Sequence, residues 1–451
     1  MNRLSPDILS RIIQFVPCEH DTDAQSIVVL THSCRYWREF VISTPWNWTL
    51  ISSRSKGLAV SSLHRAKAEP LEIHLDMNQV RGKPGFSNLI NPYIKNTKSL
   101  HFSNFKTVKD LTQTLPNFPQ SMSALQSLTL DGGHKCSVER FGSLAPTLRC
   151  LKLSVFPLHP SFLRLRDLTE LALKSHYFTL HLDALLDFLE ENRSLESVTL
   201  DIRFEKGSLR NSQRQAAIEN RLRYLSVCGG EMDIKAMVSN IALQRGAHLE
   251  IISDRYTMND ILSGLPTAHL LNLSSPIFME YQYTERSIRL VGPNGSFSYL
   301  ELYYNDTPSA FVEFPLLPLT NVREVHLLLN RLRYESSVAA FNVSFFPALE
   351  TLAVDRDIYV SRLLSGLFSN PSFPPSLKTL AFLNCSLSGD FMEELAQFAS
   401  DRRKTTSAWL RRVVIVDSKV DLPSTGSMDA LGKHVPIVDV RVGKELPTDL
   451  A

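Results

Sequence analysis

LQSLTL, at residues 125–130, is followed along the chain by LRCLKL (148–153), LTELAL (168–173) and LESVTL (195–200), and this recurring L-x-x-L-x-L pattern decides the fold. Because successive side chains of a strand point to opposite faces, each L-x-L predicts a short strand with its leucines on one face. In the regular stretches, neighbouring units are 20 (153 to 173) to 33 (382 to 415) residues apart. The last apolar position of the pattern recurs at Leu130, Leu153, Leu173, Leu200, Val227, Leu273, Leu302, Leu327, Val354, Phe382, Ile415 and Val440.

This pattern resembles the leucine-rich repeat, whose units are about 20–29 residues long. One unit cannot bury its own apolar face, so the resemblance implies units stacked into a solenoid with a parallel inner sheet. The asparagine that usually follows L-x-L is mostly missing, which favours an irregular solenoid. We therefore expect an α/β leucine-rich-repeat solenoid over residues 51–451, with buried leucines at Leu128, Leu130, Leu151, Leu153, Leu352 and Leu380. A doubly wound α/β enzyme also alternates strands and helices and is the alternative.

Helical periodicity marks several segments between the strands, because their apolar residues recur three and four positions apart. The residues concerned are Leu182, Leu185, Leu186 and Leu189, then Ile234, Met237, Val238 and Ile241, then Phe391, Leu395 and Phe398. Residues 58–67 predict a further short helix, with Ala59, Leu63 and Ala66 turned inward. We expect insertions at residues 203–220, which are polar, and at residues 305–320, where prolines favour an extended segment.

The first 48 residues follow a different pattern, that of two amphipathic helices. Ser5 suits an N-cap, Pro6 the first helical position and Asp7 the positive end of the helix dipole. After a polar break, apolar residues within 27–41 predict the second helix. The apolar stripe of the first helix is wider than a single core contact requires, and consists of Ile8, Leu9, Ile12, Ile13, Phe15 and Val16.

These residues resemble an F-box, the short helical module through which substrate receptors dock onto the Skp adaptor of cullin-based ubiquitin ligases. The positions that match the family pattern are Leu4, Asp7, Ile8, Leu9, Ile12, Cys34, Arg35, Trp37 and Arg38. Two positions depart from it, since Ser5 replaces the usual proline and Ile13 the usual phenylalanine. The resemblance implies an F-box over residues 1–50, held together by Trp37, that binds the adaptor through Leu4, Ile8, Leu9, Ile12, Phe15 and Val16. A helix pair that only caps a larger domain is the alternative.

Composition limits the class of protein. Of the 451 residues, 43% are hydrophobic and 21% are charged, which is typical of a globular chain. The net charge of +2 gives no electrostatic reason to expect nucleic acid as the main ligand. The six cysteines include no C-x-x-C pair, which favours a reducing compartment. No run of eighteen apolar residues occurs, so we expect a soluble cytoplasmic or nuclear protein with no membrane partner.

Motifs of catalysis are missing from the sequence: it contains no G-x-S-x-G, H-E-x-x-H, Walker or G-x-G-x-x-G sequence. His176 and His181 have no carboxylate or cysteine at ligand spacing, so we interpret them as solvated or core residues. The basic run Arg402-Arg403-Lys404 is typical of a helix end, although it could also contact phosphates. We therefore expect a protein that is not an enzyme and that uses no metal or cofactor.

A partner of a repeat protein usually binds the inner sheet, at the strand positions that point outward from the core. These positions include Thr129, Lys152, Ala172, Ala353, Ala381 and Val414. Tyrosines next to charged residues are common in binding hot spots, although ordinary cross-strand packing is the alternative for them. On this basis the predicted partner-binding residues are Tyr224, Tyr299, Glu301, Tyr303, Glu324 and His326.

Taken together, the resemblances to an F-box and to leucine-rich repeats imply a substrate-recognition subunit of a cullin-based ubiquitin ligase. It would bind a Skp-type adaptor and the cullin ligase core through the F-box and an unknown target protein through the repeats. The first alternative is a non-enzymatic leucine-rich-repeat scaffold for protein–protein interaction without a ligase function. The second is an enzyme whose active site is assembled from the loops between strands and helices.

Overall fold

The computed structural model describes residues 4–14, 23–81, 85–105, 122–132, 146–154, 165–204, 221–241, 243, 246–253, 261, 276–282, 287–292, 295–301, 319–328, 343–355, 360–405, 409–420 and 425–441. It is a mixed α/β protein with a large, mostly parallel sheet. The chain forms two compact units, Met1–Ser212 and Gln213–Ala451. In the described residues, no helix has both the length and the apolar character needed to cross a membrane.

The first unit contains seven helices and seven strands among its described residues. The helices are α1 (Pro6–Gln14), α2 (Asp23–Thr31), α3 (Arg35–Ser43), α4 (Lys56–Ala66), α5 (Met77–Arg81), α6 (Phe86–Ile90) and α7 (Leu182–Glu191). Two 3-10 helices, Pro45–Trp48 and Asn91–Asn96, lie between them. The strands are β1 (Leu50–Ser52), β2 (Leu71–Asp76), β3 (Thr97–Phe105), β4 (Ser127–Gly132), β5 (Cys150–Ser154), β6 (Glu170–Leu180) and β7 (Ser197–Phe204).

All seven strands of the first unit are parallel, and each pairs with the next one along the chain, from β1 to β7. The register aligns the repeated leucines, so that Leu128 is opposite Leu151 and Leu130 opposite Leu153. These four side chains are at most 1% exposed, which confirms the predicted inward row. Burial alternates along β4 and β5 because only one face of this sheet packs on the core.

The predicted helices between strands are also present. In α4, Ala59, Leu63 and Ala66 are buried, as the spacing predicted. Helix α7 buries all four of its predicted leucines. Strand β1 is short, pairs with β2 and buries Ile51.

The N-terminal part of the chain forms three described helices where the sequence predicted two. The single helix expected over residues 27–41 is interrupted between α2 and α3, where Cys34 is extended at φ −158°. Thr31 donates from Oγ1 to the carbonyl of Val28 at 2.6 Å, and the Arg38 Nε donates to the Thr31 carbonyl at 2.8 Å. Threonine and serine side chains compete for main-chain groups in this way, so Thr31-His32-Ser33 ends one helix before the next begins.

The second unit contains four helices and twelve strands among its described residues. The helices are α8 (Glu231–Asn240), α9 (Val360–Phe368), α10 (Gly389–Thr405) and α11 (Thr425–His434). Two short 3-10 helices span Leu319–Asn321 and Val343–Phe345. The strands are β8 (Tyr224–Gly229), β9 (His248–Ser253), β10 (Phe278–Gln282), β11 (Ser287–Gly292), β12 (Gly295–Glu301), β13 (Glu324–Leu328), β14 (Thr351–Asp355), β15 (Thr379–Leu383), β16 (Ser386–Leu387), β17 (Arg412–Val416), β18 (Lys419–Val420) and β19 (Ile437–Arg441).

The main sheet of the second unit departs from the parallel sheet that the sequence predicted. Its order is β8-β9-β12-β11-β10-β13-β14-β15-β17-β19, and β11 is antiparallel to both of its neighbours. The parallel part is confirmed for Leu352 and Leu380, which are paired with each other and at most 1% exposed. Strands β16 and β18 form a separate parallel pair.

The antiparallel strands have a signal in the sequence. Gly292 pairs with Gly295, and the two residues between them in the sequence, Pro293 and Asn294, are of types that favour turns. The L-x-x-L-x-L pattern contains no hairpin, so it does not predict strands β10 and β11. The units predicted to end at Leu273 and Leu302 lie outside the described residues, as do residues 205–220 and 305–318 of the predicted insertions.

The helices of the second unit follow the prediction closely. Helix α8 buries Ile234, Met237 and Val238, with Ile241 buried just after its end. Helix α10 carries Arg402-Arg403-Lys404 in its last turn, as expected for cations at the negative end of a helix.

Arg402 nevertheless has a second role, because its side chain is fully buried. Its guanidinium donates to the carbonyls of Pro371, Pro374 and Leu377 at 2.9, 2.6 and 3.1 Å. Burial lowers the pKa of Arg402 to about 10. The residue therefore anchors the loop before β15 to α10, in addition to any favourable contribution it makes to the helix dipole.

Candidate interaction surfaces

Helix α1 presents an apolar stripe to solvent. Leu4, Ile8 and Ile12 are 43, 47 and 38% exposed, and they lie four residues apart along one side. Leu9 and Ile13, on the adjacent side, are 0 and 4% exposed. Leu9, which the resemblance assigns to the adaptor-binding surface, therefore lies on the side of the helix that packs inward. Phe15 and Val16 lie outside the described residues.

Two contacts set where α1 begins. The Ser5 hydroxyl accepts from the Ile8 amide at 3.4 Å, a long N-cap bond that agrees with the predicted cap. Tyr36 of α3 donates from Oη to the Leu4 carbonyl at 2.6 Å. The exposed stripe is thus carried by a helix whose first turn is tied to another helix of the same module.

Trp48 joins the N-terminal helices to the sheet. It is 2% exposed, its Nε1 donates to the Val41 carbonyl of α3 at 2.8 Å, and the Arg65 guanidinium lies 4.2 Å from its ring centroid. Trp37, which the resemblance places at the centre of the module, is only half-buried.

A polar cluster lies on β8 and β9, on the face of the sheet away from the helices. The Glu250 Oε2 accepts from the Tyr224 hydroxyl at 2.5 Å and from the Ser226 hydroxyl at 2.6 Å. The ring of His248 stacks on Tyr224, with centroids 5.3 Å apart and planes 8° apart. Tyr224 is therefore held by a neighbouring strand instead of being free to adapt to a partner.

The electrostatics of this cluster reflect partial burial. Burial and the Glu250 carboxylate raise the pKa of Tyr224 to about 12. Burial lowers the pKa of His248, and the positive charge of Arg289 adds to this, while Glu250 acts in the opposite direction. At neutral pH the cluster consequently contains a neutral tyrosine that donates to a carboxylate.

The structure separates Tyr224 from Glu324 and His326, two of the other predicted partner-binding residues. Glu324 and His326 lie on β13, five strands from β8, which at the usual spacing is about 24 Å. They form a site of their own, in which His326 Nε2 lies 2.9 Å from Glu324 Oε1 and the His326 ring is edge-on to Phe278 at 4.9 Å. The inserted hairpin is the cause of this separation.

The remaining predicted partner-binding residues are only partly described. The backbone register places Tyr299 opposite Ile251 and Ile288. Glu301 is opposite Ser253 at the end of β12, and Tyr303 lies outside the described residues.

Part of the predicted inner surface is closed to a ligand. Ala353, Ala381 and Val414 are in register on the face that the sequence interpreted as outward, yet they are at most 3% exposed. Leu383 and Val416 join them in one buried apolar cluster. The outward positions on β14, β15 and β17 therefore form a second core and not a recognition surface.

Sequence reasoning missed two members of the Tyr224 cluster, namely His248 and Glu250. The segment LEIISD, which contains Glu250, fits the repeat template poorly, although its alternation of polar and apolar residues was a usable signal.

In the first unit, the corresponding face carries a small ion-pair cluster. Lys152 Nζ is 2.7 Å from Glu170 Oε1, and the Cys150 thiol donates to Glu170 Oε2 at 3.2 Å. Nearby on the same face, the rings of His74 and His101 meet edge-on at 5.1 Å. These contacts lie between directly paired strands and account for ordinary cross-strand packing.

Within the described residues, no group of three histidine, cysteine, aspartate or glutamate side chains is arranged to hold a metal ion. No protein-family model and no curated protein sequence matches this chain. The described surfaces therefore include an apolar stripe on the N-terminal helix α1 and two polar clusters. One cluster is centred on Tyr224, on β8 and β9, and the other on His326, on β13.

Proposed function

We propose that this chain is a substrate-recognition subunit of a cullin-based ubiquitin ligase. The observation that carries the proposal is the exposed apolar stripe of Leu4, Ile8 and Ile12, next to a side of α1 that is anchored by Leu9 and Ile13. Exposed apolar patches generally mark interaction sites. The stripe coincides with the positions at which the sequence resembles an F-box.

In this proposal the N-terminal helices bind a Skp-type adaptor, and the strands after them form a leucine-rich-repeat solenoid that binds a target. The repeating parallel strands and the helices between them support that interpretation. The chain itself transfers nothing. It places a target protein close to the ubiquitin-loaded enzyme, which accelerates transfer by proximity.

The target would bind at the half-buried polar clusters on the second sheet, Tyr224–Glu250 or Glu324–His326. The first cluster contains a tyrosine, a residue type that is enriched in binding hot spots, and the second pairs an imidazole with a carboxylate. The closed face of β14, β15 and β17 restricts a target to the remaining strands.

The test is copurification of the full chain with a Skp adaptor, comparing the wild type with the double variant Ile8→Asp, Ile12→Asp. Both side chains are exposed, so the variant should fold normally and lose adaptor binding, because an unpaired charge cannot enter an apolar interface at low cost. Val60→Asp is the matched control, since Val60 is 46% exposed on α4 of the same unit. Absence of adaptor binding by folded wild-type chain would refute the proposal.

A non-enzymatic repeat scaffold is the second candidate. The burial of Leu9, Ile13 and Trp48 favours it, because these contacts are also what a terminal cap of a repeat array requires. The two candidates differ in one measurement. A scaffold would bind no adaptor, and Ile8→Asp, Ile12→Asp would leave its binding partners unchanged.

A further inference from the structure

Among the described residues, strand β19 is an edge of the second sheet, and two of its apolar side chains are exposed. Among the described residues, β17 is the only strand in register with it. Ile437 is 53% exposed and Val440 is 50% exposed. Val440 pairs with Ile415, which is buried. The row of apolar side chains on the inward face of the sheet therefore ends at Val440, which is exposed. An apolar strand edge of this kind associates with another strand unless something blocks it.

The hydrogen bonds between β19 and β17 show which main-chain groups of β19 point away from β17. The Ile437 amide donates to the Arg411 carbonyl at 3.2 Å, and the Arg441 carbonyl accepts from the Asp417 amide at 3.0 Å. In a parallel pair, alternate residues bond to the same neighbour. Val438 and Val440 therefore direct their amides and carbonyls away from β17, where an additional strand would bond to them.

We propose that β19 pairs antiparallel with β19 of a second copy of this chain, about a two-fold axis at Val440. The two Val440 residues then face each other and exchange both main-chain hydrogen bonds. Their side chains lie on the inward face of both sheets, so each covers apolar surface that the other leaves exposed. This inference does not depend on the proposed ligase function.

Charge selects this register over the neighbouring one. A pair centred on Asp439 would also bring the free amides and carbonyls together, but it would place two carboxylates directly opposite each other. Directly opposed like charges destabilise a strand pair. Centred on Val440, the pair instead places Asp439 of each copy opposite Arg441 of the other, which gives two favourable ion pairs.

The side chains concerned already lie on one face of the strand. Arg441 Nη2 is 2.7 Å from Asp439 Oδ2 within the same strand, and Arg412 Nη2 is 3.4 Å from it. Pairing of the two copies would therefore extend an existing ion-pair group instead of burying isolated charges. A strand pair this short buries less than the area of a standard stable interface, about 1,600 Å² in total. We expect the association to be reversible and dependent on concentration.

The first experiment measures the mass of the full chain by sedimentation velocity over a wide range of protein concentration. We expect a monomer–dimer equilibrium, weakened at least about tenfold by Val440→Lys and by Arg441→Asp, each of which puts like charges face to face. Met232→Lys is the control, because Met232 is 60% exposed on α8 and far along the chain from β19. A wild-type chain that is monomeric at every concentration overturns the proposal, as does a dimer that none of the β19 variants weakens.

The second experiment tests the register by charge exchange. Arg441→Asp gives a strand with two acids and Asp439→Lys one with two bases, so neither should pair with itself. Mixing them should restore a dimer, since each acid then faces a base. If the circular dichroism spectrum of Asp439→Lys shows unfolding, a Val440→Cys chain provides the test in its place. The thiols introduced by Val440→Cys in the two copies should form an intermolecular disulfide, whereas those introduced by Ile437→Cys should not; equal crosslinking of the two variants would overturn the register.

Discussion

Cys150 illustrates how a neighbouring strand sets the chemistry of a single side chain. It is half-buried on β5, and its thiol donates to Glu170 of β6 at 3.2 Å. Burial, reinforced by the negative charge of Glu170, raises the pKa of Cys150 to about 11. Because the thiolate and not the thiol is the nucleophile, this environment makes Cys150 unreactive at neutral pH.

Alkylation of Cys150 should accordingly be slow and steeply dependent on pH. A thiol with a pKa of about 11, compared with 9.0, is ionised roughly 100-fold less at about pH 8. The rate should rise about tenfold per pH unit below that pKa, because only the thiolate reacts. Peptide mapping after timed iodoacetamide treatment measures it.

Glu170→Gln is the companion variant, since it removes the charge that helps to keep the thiol protonated. It should speed the labelling of Cys150 while leaving the exposed Cys34 unchanged. Labelling of Cys150 as fast as that of Cys34 in the wild type would contradict the proposed effect of burial.

At the scale of elements, the N-terminal helices depend on one buried tryptophan. Trp48 contacts α3 through its hydrogen bond to the Val41 carbonyl and α4 through the Arg65 guanidinium. Both contacts join elements that are separate in the sequence, so the tryptophan holds α3 against the start of the sheet.

Trp48→Ala should therefore loosen α3 and α4 together, at a cost of about 3–5 kcal/mol of unfolding free energy, the usual range for a buried large aromatic residue. Hydrogen exchange of the amides in these two helices measures the effect. Trp46→Ala provides the control, because Trp46 is 36% exposed two residues away. Equal effects of the two variants would show that the contacts of Trp48 are not what holds the helices.

At the scale of the whole molecule, the free energy of folding comes chiefly from aligned apolar rows inside each sheet. Leu130 belongs to such a row, since it pairs with Phe102 on one side and Leu153 on the other, and all three are buried. Thr129, the adjacent residue, points to the other face and is only half-buried.

Leu130→Ala should cost about 2–5 kcal/mol of unfolding free energy, because it leaves a cavity in a packed row. Thr129→Ala, on the same strand, should cost less than about 1 kcal/mol. Denaturant unfolding of both variants gives the comparison. A Leu130→Ala chain as stable as Thr129→Ala would mean that the row is not the core.

Much of the architecture could be predicted from local sequence patterns, whereas the candidate interaction surfaces could be predicted only in small part. The strands of the first unit and the helices α4, α7, α8 and α10 agree with the sequence, because alternation and helical periodicity are local properties of the chain. For the candidate surfaces, the exposed side of α1 was predicted only in part, since the sequence could not say that Leu9 lies on the buried side.

By itself, the sequence determined which residues of each repeat face inward, since a strand's two faces alternate whatever its neighbours are. Only the tertiary structure decided which outward residues can meet a partner. The hairpin of β10–β12 places Tyr224 far from His326, and packing across β14, β15 and β17 buries Ala353, Ala381 and Val414. Strand order and burial depend on contacts between segments distant in the chain, and no local pattern carries that information.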